Sequence, residues 1–305
     1  MADIALSTSV RSNLLALQNT SDFIGRTQGR LSTGLAVSSP VDDAVKFFQA
    51  KSLSNRASDL LERKDSVDQG VNALKTALTA TDAMEDLVKQ MKGVIDSARS
   101  ADKTQRTAYT VQFEELAKQI EKLVDDASYQ GLNLLNSTAS KLSVRFSDKS
   151  DSKLEVDGVN FKTSAFFKDD GGSTASAATE KTLLSSIGFT SVAGDGFEDY
   201  NVSQASILAS FNSDADKAIN ALDQTISNLR SEAAKIAGNV AILQVRSNFT
   251  EEYSNVLEEG AGQLTLADLN AEGANLLALQ TRQQMGIQAL SFAGQSEQAV
   301  LGLFR

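Results

Sequence analysis

The 305-residue sequence contains no cysteine, no histidine and no tryptophan. Without cysteine there is no disulfide framework and no thiolate nucleophile. Without histidine, the common catalytic triads and histidine-ligated zinc sites are excluded. The acidic pairs at 42–43 and 125–126 do not replace them, because adjacent helical side chains diverge. We therefore predict a protein that is not an enzyme and that uses no cofactor and no metal.

The charge balance and hydropathy exclude further classes. The sequence has 39 acidic and 29 basic residues, a formal net charge of −10, whereas nucleic-acid binding would call for a basic face. It contains no run of 18 apolar residues, so no membrane insertion is predicted. No cleavable secretory signal is visible at the start of the sequence. If the chain leaves the cell, we expect another route.

Apolar residues recur at heptad spacing at both ends of the chain. The N-terminal stripe comprises Val10, Leu14, Leu17, Ile24, Leu31 and Leu35, and the C-terminal one Leu266, Leu269, Leu276, Ile287, Leu290, Leu301 and Phe304. A lone helix cannot bury such a stripe. Each end therefore needs partner helices, from the opposite terminus or from neighbouring copies, which favours a polymer subunit over a monomeric enzyme.

Helix boundaries follow from glycine and the single proline. Pro40 predicts the end of the first helix, and the glycines before it (Gly25, Gly29 and Gly34) are interpreted as points of close helix approach. A continuous apolar repeat predicts one helix over about 43–100. A third helix should end before Gly131, which would adopt a left-handed cap.

The middle of the chain changes character. Leu142, Val144 and Phe146 alternate with polar residues, as in a half-buried strand, and Asp157-Gly158 predicts a hairpin turn. Residues 162–202 are rich in Gly, Ser, Thr and Asp, as in a surface excursion. Helix should resume near residue 203, with an apolar repeat over 219–243. This repeat and the one over 67–95 are interpreted as core packing. The Gly-rich stretch 258–262 suggests a weak joint before the last stripe.

Several short motifs together resemble those of bacterial flagellin. They are Arg30-Leu31-Ser32-Thr33-Gly34-Leu35, Asp42-Asp43-Ala44, Asp68-Gln69-Gly70-Val71, Tyr129-Gln130-Gly131-Leu132-Asn133-Leu134-Leu135, Ser227-Asn228-Leu229-Arg230 and the C-terminal segment 296–305. Each is weak alone, but their order and placement are specific. The resemblance covers roughly residues 1–135 and 205–305.

The resemblance implies a structural subunit that polymerises into the flagellar filament, the helical propeller of swimming bacteria. It also implies termini that fold on assembly, and partners that include the filament cap, hook-junction proteins, an export chaperone and the type III export apparatus. The expected location is the extracellular filament. Two alternatives remain open: a hook–filament junction protein with flagellin-like ends, and a secreted coiled-coil scaffold or effector.

The expected fold is mainly α, an elongated bundle of long coiled-coil-like helices from both termini with a small β-hairpin region and a short variable outer insertion. The expected domains are 1–40 with 255–305 (filament core), 41–160 with 203–254 (helical bundle with hairpin) and 161–202 (variable outer region).

Three groups of site residues follow from these expectations. The expected filament interface is Val10, Leu14, Leu17, Ile24, Leu31, Leu35, Leu276, Ile287, Leu290, Leu301 and Phe304. The family motif residues are Arg30, Leu31, Gly34, Asp42, Asp43 and Ala44. The segment that corresponds to the innate-receptor site of sensed flagellins contains Gln90, Gly93 and Ile95, where Gly93 and Ile95 depart from the expected arginines.

Overall fold

The computed structural model describes residues 8–147, 151–162, 197 and 205–302. Its helices are α1 Thr8–Thr33, α2 Ala44–Arg99, α3 Lys103–Asp126, α4 Ala205–Thr265 and α5 Leu269–Gly302, and its strands are β1 Ser128–Tyr129, β2 Leu132–Asn133, β3 Lys141–Arg145 and β4 Lys153–Asp157. The predicted mainly α fold with a small β region is confirmed. Most of the expected variable region 161–202 lies outside the described residues.

The long second helix is confirmed at Ala44–Arg99, but the predicted end of the first helix is wrong. Helix α1 ends at Thr33, and Gly34 follows with a φ of +72°. The Gly34 amide donates to the Arg30 carbonyl at 2.8 Å, which closes the last turn. Gly34 therefore ends the helix, because glycine adopts the left-handed conformation at little cost.

Within the described part of the subunit, no element approaches the two glycines inside α1 closely, so the close-approach interpretation remains a prediction for contacts with other copies. A Cβ atom built at Gly25 or Gly29 would meet nothing within 4 Å. The predicted weak joint near residue 260 is wrong, since α4 continues to Thr265. A Cβ at Gly260 would lie 3.6 Å from Leu53, so this turn packs against α2, and packing can outweigh a propensity cost of about 1 kcal/mol per glycine.

Gly131 has the predicted left-handed conformation, but in a hairpin turn and not at a helix end. Gln130 and Gly131 have φ values of +50° and +83° and connect β1 to β2. Two central residues with positive φ form the turn type that matches the twist of a two-residue hairpin.

The hairpin turn predicted at Asp157-Gly158 is wrong. Strand β4 ends at Asp157, which pairs with Lys141 at the open end of the β3–β4 hairpin. The Gly158 amide donates to the Ser140 carbonyl at 2.7 Å, and a Cβ at Gly158 would lie 2.4 Å from the Ser137 carbonyl oxygen. Glycine is required at position 158 because another backbone segment approaches it closely. In the sequence, such a glycine looks the same as one in a turn.

The described chain divides into two compact units: unit 1, residues 1–59 with 252–305, and unit 2, residues 60–251. Unit 2 has a continuous core, and the stripes predicted on its helices line it. Leu74, Met84 and Ile95 of α2 and Leu222 and Leu229 of α4 are wholly buried. Among the described residues, unit 2 therefore buries most of its large apolar side chains and exposes five, which are Leu61, Val111, Ile242, Val245 and Phe249.

A wholly buried arginine closes one junction of unit 2. Arg106 of α3 donates from Nε to the Ala98 carbonyl at 2.9 Å, in the last turn of α2. Its guanidinium carbon lies 4.0 Å from the centroid of the Phe211 ring, and burial lowers the pKa of Arg106. The cation satisfies a helix-terminal carbonyl and stacks on an aromatic face.

The motif residue Asn133 joins α3 to the hairpins. Its amide nitrogen donates to the Val124 carbonyl at 2.6 Å, and its amide oxygen accepts from the amides of Leu135 and Asn136 at 2.8 and 3.1 Å. One buried side chain thus satisfies both the end of a helix and the strand exit that follows.

Gly70 is the point at which strand β3 meets α2. A Cβ atom at Gly70 would lie 2.6 Å from Val144 Cγ2, and Val144 is buried. Valine is stiff at χ1, so it cannot easily rotate away. The glycine of the Asp68-Gln69-Gly70-Val71 motif therefore serves packing between a helix and a hairpin.

Glu85 of α2 forms a bidentate ion pair with Arg230 of α4. Arg230 Nη2 lies 2.7 Å from one carboxylate oxygen and Arg230 Nε lies 3.2 Å from the other, while Lys89 Nζ lies 2.9 Å from Oε1. The hydrogen bond from Arg230, followed by that from Lys89, lowers the pKa of Glu85 from 4.5 to about 2. The charged form stabilises the folded state, and this contribution is lost as pH falls from about 4.5 towards 2.

Replacing Glu85 by glutamine is expected to lower the free energy of unfolding by about 1 kcal/mol at neutral pH, since Arg230 is mostly in water and its attraction is screened. The difference between the two proteins should shrink below about pH 4.5 and vanish near pH 2. Urea denaturation followed by circular dichroism at several pH values measures it. Asp86→Asn, which removes an exposed carboxylate from the same turn, is the control. A Glu85→Gln deficit that is independent of pH would contradict the assignment.

Candidate assembly interface

Unit 1 buries little and exposes many large apolar side chains. Its buried apolar residues are Val10, Val37, Ala50, Ala57, Leu257 and Ala261. Its exposed ones, which we call the assembly surface, are Leu14, Leu15, Phe23, Val41, Val45, Phe48, Val256, Leu266, Leu269, Leu277, Met285, Ile287 and Phe292. Burying one such side chain is worth about 1.5–3 kcal/mol. Unit 1 therefore buries only a minority of its large apolar side chains.

Helix α5 has large apolar side chains on two opposite sides, and those away from α1 lie among exposed polar ones. One side packs on α1, where a Cβ at Gly286 would lie 3.0 Å from Leu17 Cδ2. Leu277, Met285 and Phe292 lie on the other side and are exposed, Phe292 by 72%. From residue 273 to residue 296 the sequence has one charge, Arg282. A helix that lacks a charged face and has apolar side chains on opposite sides is typical of one that is covered on more than one side.

Backbone hydrogen bonds join the segment that follows α1 to the end of α4 and to the link between α4 and α5. The Ala36 amide donates to the Thr265 carbonyl at 2.7 Å, and the Ala267 amide donates to the Gly34 carbonyl at 2.9 Å. These bonds satisfy groups that the two helix ends leave open. They also fix the start of the loop 34–43.

The motif residue Arg30 adds an ion pair to this junction. Arg30 Nη1 lies 2.9 Å from Glu272 Oε1, and the Glu272 side chain is only 12% exposed. Glu272 lies in the first turn of α5, where a negative charge is favoured by the helix dipole. Leu31, the next motif residue, is half-buried.

The remaining motif residues shape the loop 34–43 and start α2. Asp42 accepts hydrogen bonds from the amides and hydroxyls of Ser38 and Ser39 at 3.0–3.2 Å. These bonds, led by the Ser39 hydroxyl, lower the pKa of Asp42. Asp43 accepts from the Lys46 amide at 3.1 Å, a helix N-terminal cap. Ala44 is the exposed first residue of α2.

A groove of about 240 Å³ lies beside this loop. Leu35, Val37 and Phe47 form its apolar wall, and Lys51 and Ser54 lie at its edge. All of its lining residues belong to unit 1.

The structure distributes the predicted interface residues over three environments. Val10 is buried. Leu17, Ile24, Leu31, Leu35, Leu276 and Leu290 are half-buried. Leu14 and Ile287 are exposed. Leu301 is helical, but its side chain and all of Phe304 lie outside the described residues.

Sequence reasoning missed much of the assembly surface. The heptad pattern does not include Phe48, Leu277, Met285 or Phe292, which are among the most exposed apolar side chains. The missed signal was the near absence of charge along α5, which leaves the helix without a charged outer face.

The segment that corresponds to the innate-receptor site lies on α2 in unit 2. Gln90 and Gly93 are exposed, whereas Ile95 is wholly buried. The side chain at position 95 is therefore part of the core and is not available to a partner. Among the described residues, no cluster of three or more acidic or histidine side chains could hold a metal, and no helix has the length and apolarity to cross a membrane.

Long terminal helices with many exposed apolar side chains are typical of coiled-coil-like structural proteins. Two family models match the chain: the bacterial flagellin N-terminal helical region over residues 4–140, and the C-terminal helical region over residues 213–304. Together they cover more than half of it. The chain belongs to the bacterial flagellin family.

Two flagellins match the chain over nearly its whole length. The chain is 28% identical to flagellin FljO of Caulobacter vibrioides over 297 residues, 96% of each chain, and 28% identical to a flagellin of Brucella melitensis over 308 residues, all of both chains. A structure of a Vibrio parahaemolyticus protein assigned to the flagellar hook-associated proteins superposes with a TM-score of 0.58 at 14% identity, covering 74% of this chain and 100% of that one. This last likeness concerns the fold alone.

Proposed function

We propose that the chain is a flagellar filament subunit whose unit 1 makes the contacts that build the filament. Membership of the flagellin family gives the role of a structural filament subunit. One observation on the described residues supports the assignment to unit 1: thirteen of its large apolar side chains are exposed, against five in the larger unit 2, which also has a continuous buried core. Partners that cover unit 1 are further copies of the chain.

The finer assignments are proposals of the same kind. The residues 1–40 with 255–305 form the inner filament core, 41–160 with 203–254 form the supporting bundle, and 161–202 form the outer region. The subunit leaves the cell through the type III export apparatus with an export chaperone, and it meets cap and hook-junction proteins at the filament ends. The filament is extracellular.

The junction-protein alternative shares the fold, so the fold does not separate the two functions. The Vibrio parahaemolyticus structure bears only on that shared fold. Relatives that match over nearly their full length are flagellins, which favours the filament subunit. Nothing observed favours a scaffold or effector.

Seeded polymerisation of the purified full-length chain tests the proposal. We expect tubes of regular diameter by electron microscopy, and protection of both terminal helices from protease in the tubes but not in the free subunit. The reason is that isolated terminal helices fray unless they are covered. Free subunits that resist trimming at both ends, or seeds that never elongate, would count against it.

A further inference from the structure

Val41 is an apolar side chain held in solvent by a fixed loop. It is 95% exposed and lies between Pro40 and Asp42. The four hydrogen bonds that Asp42 accepts from Ser38 and Ser39 hold the loop on one side. The Asp43 cap holds it on the other. Val41 is thus presented rigidly, so little conformational entropy remains to be lost when a partner covers it.

The groove beside the loop is apolar inside and is not filled by the Val41 of its own copy. Leu35, Val37 and Phe47 line it, and its volume is about 240 Å³, enough for a branched aliphatic side chain. The near-complete exposure of Val41 shows that the side chain lies outside the groove. The same unit therefore carries an apolar projection and a separate apolar recess.

The charges beside the two features are complementary. Two carboxylates, Asp42 and Asp43, follow Val41 directly, and the pKa of Asp42 is lowered so that it is ionised at neutral pH. Lys51 is the cation among the residues that line the groove. A second copy that placed Val41 in the groove would bring its carboxylates towards this lysine.

We propose that Val41 of one subunit inserts into the groove of a second subunit, between Phe47 and the end of α4. A projection and a recess on different parts of one chain make a heterologous contact, which propagates as an open helix when rotation does not close a ring. The contact can therefore repeat along a filament. It rests on the filament function proposed above and names one of its subunit contacts.

The absence of cysteine from the chain permits a clean test by cross-linking. Two single variants, Val41→Cys and Ser54→Cys, are mixed in equal amounts, polymerised on seeds and oxidised. Any disulfide between positions 41 and 54 then joins two copies by construction. The matched control uses Val111→Cys in place of Val41→Cys. Val111 is an exposed valine on α3 of unit 2.

We expect covalent dimers in polymerised mixtures of the 41 and 54 variants, and none in unpolymerised mixtures, in either variant alone or in the 111 and 54 mixture. Filaments that form normally without the 41–54 disulfide would overturn this contact and leave the filament function intact. Failure of all variants and wild type to polymerise would overturn the filament function itself.

Two further variants measure the strength of the contact. Val41→Ala is expected to raise the critical concentration for polymerisation about tenfold, because two methyl groups are lost from a buried contact. Lys51→Glu should raise it by a similar factor at low salt and by less at high salt, where charges are screened. Val111→Ala is the control for the first. A critical concentration unchanged in both Val41→Ala and Lys51→Glu would contradict the insertion.

Discussion

Replacing Phe292 by aspartate is expected to abolish filament formation while the free subunit stays folded. Phe292 is 72% exposed on the outward side of α5, so the subunit alone loses little. In a polymer each copy would lose about 2–3 kcal/mol of apolar burial, which corresponds to a critical concentration about 30 to 150 times higher. The new carboxylate adds a desolvation cost.

Sedimentation and electron microscopy of seeded samples measure this effect, and swimming in soft agar reports it in cells. Phe292→Leu, which keeps the side chain apolar, and Gln284→Ala, which changes an exposed polar residue on the same helix, should polymerise almost normally. Normal filaments from Phe292→Asp would show that the outward side of α5 is not an assembly contact.

Replacing Arg106 by alanine should have the largest effect on the subunit itself. The change removes a wholly buried side chain from the Phe211 ring and leaves the Ala98 carbonyl without its donor. We expect the free energy of unfolding of unit 2 to fall by about 3–5 kcal/mol. Thermal and urea denaturation measure it.

Arg99→Ala is the matched control for the buried arginine. Arg99 lies at the end of α2 and pairs with Asp96 and Asp216 at the surface, where an ion pair is worth about 1 kcal/mol or less. If Arg106→Ala were no more harmful than Arg99→Ala, the buried cation would not be what holds this junction.

The sequence predicted the elements whose signals repeat over many residues. Helix α2 was predicted within about one residue at each end, because its apolar spacing continues over many turns and capping signals flank it. The core stripes of α2 and α4 were predicted for the same reason. Such periodic patterns average over local exceptions.

Single glycines were the least predictable, since one residue type serves several geometries. Gly34 ends a helix, Gly131 forms a hairpin turn and Gly158 permits close backbone approach, yet all three look alike in the sequence. The role of each glycine depends on the groups that the fold brings near it, such as the Ser140 carbonyl beside Gly158. Gly260 shows the reverse, a glycine within a helix that continues.

The candidate interface was predictable only in part. Heptad spacing identified the terminal helices as the site, but many of its residues are half-buried between α1 and α5. A helix that is apolar on both sides gives no periodic signal for which side faces the rest of its own subunit. The exposure of Leu277 and Phe292 therefore follows only from the way α5 packs against α1.

The contact between Gly70 and Val144 fixes the alignment of a strand along a helix. Moving β3 by one residue would turn Val144 away from α2, because neighbouring strand side chains alternate in direction. Moving it by two would press Val144 against a helix position that already carries a Cβ. The lack of a side chain at Gly70 thus leaves space for Val144 at one position of the hairpin along the helix. The helix thus adds a steric restriction on the position of the hairpin to the one set by the hydrogen bonds between its strands.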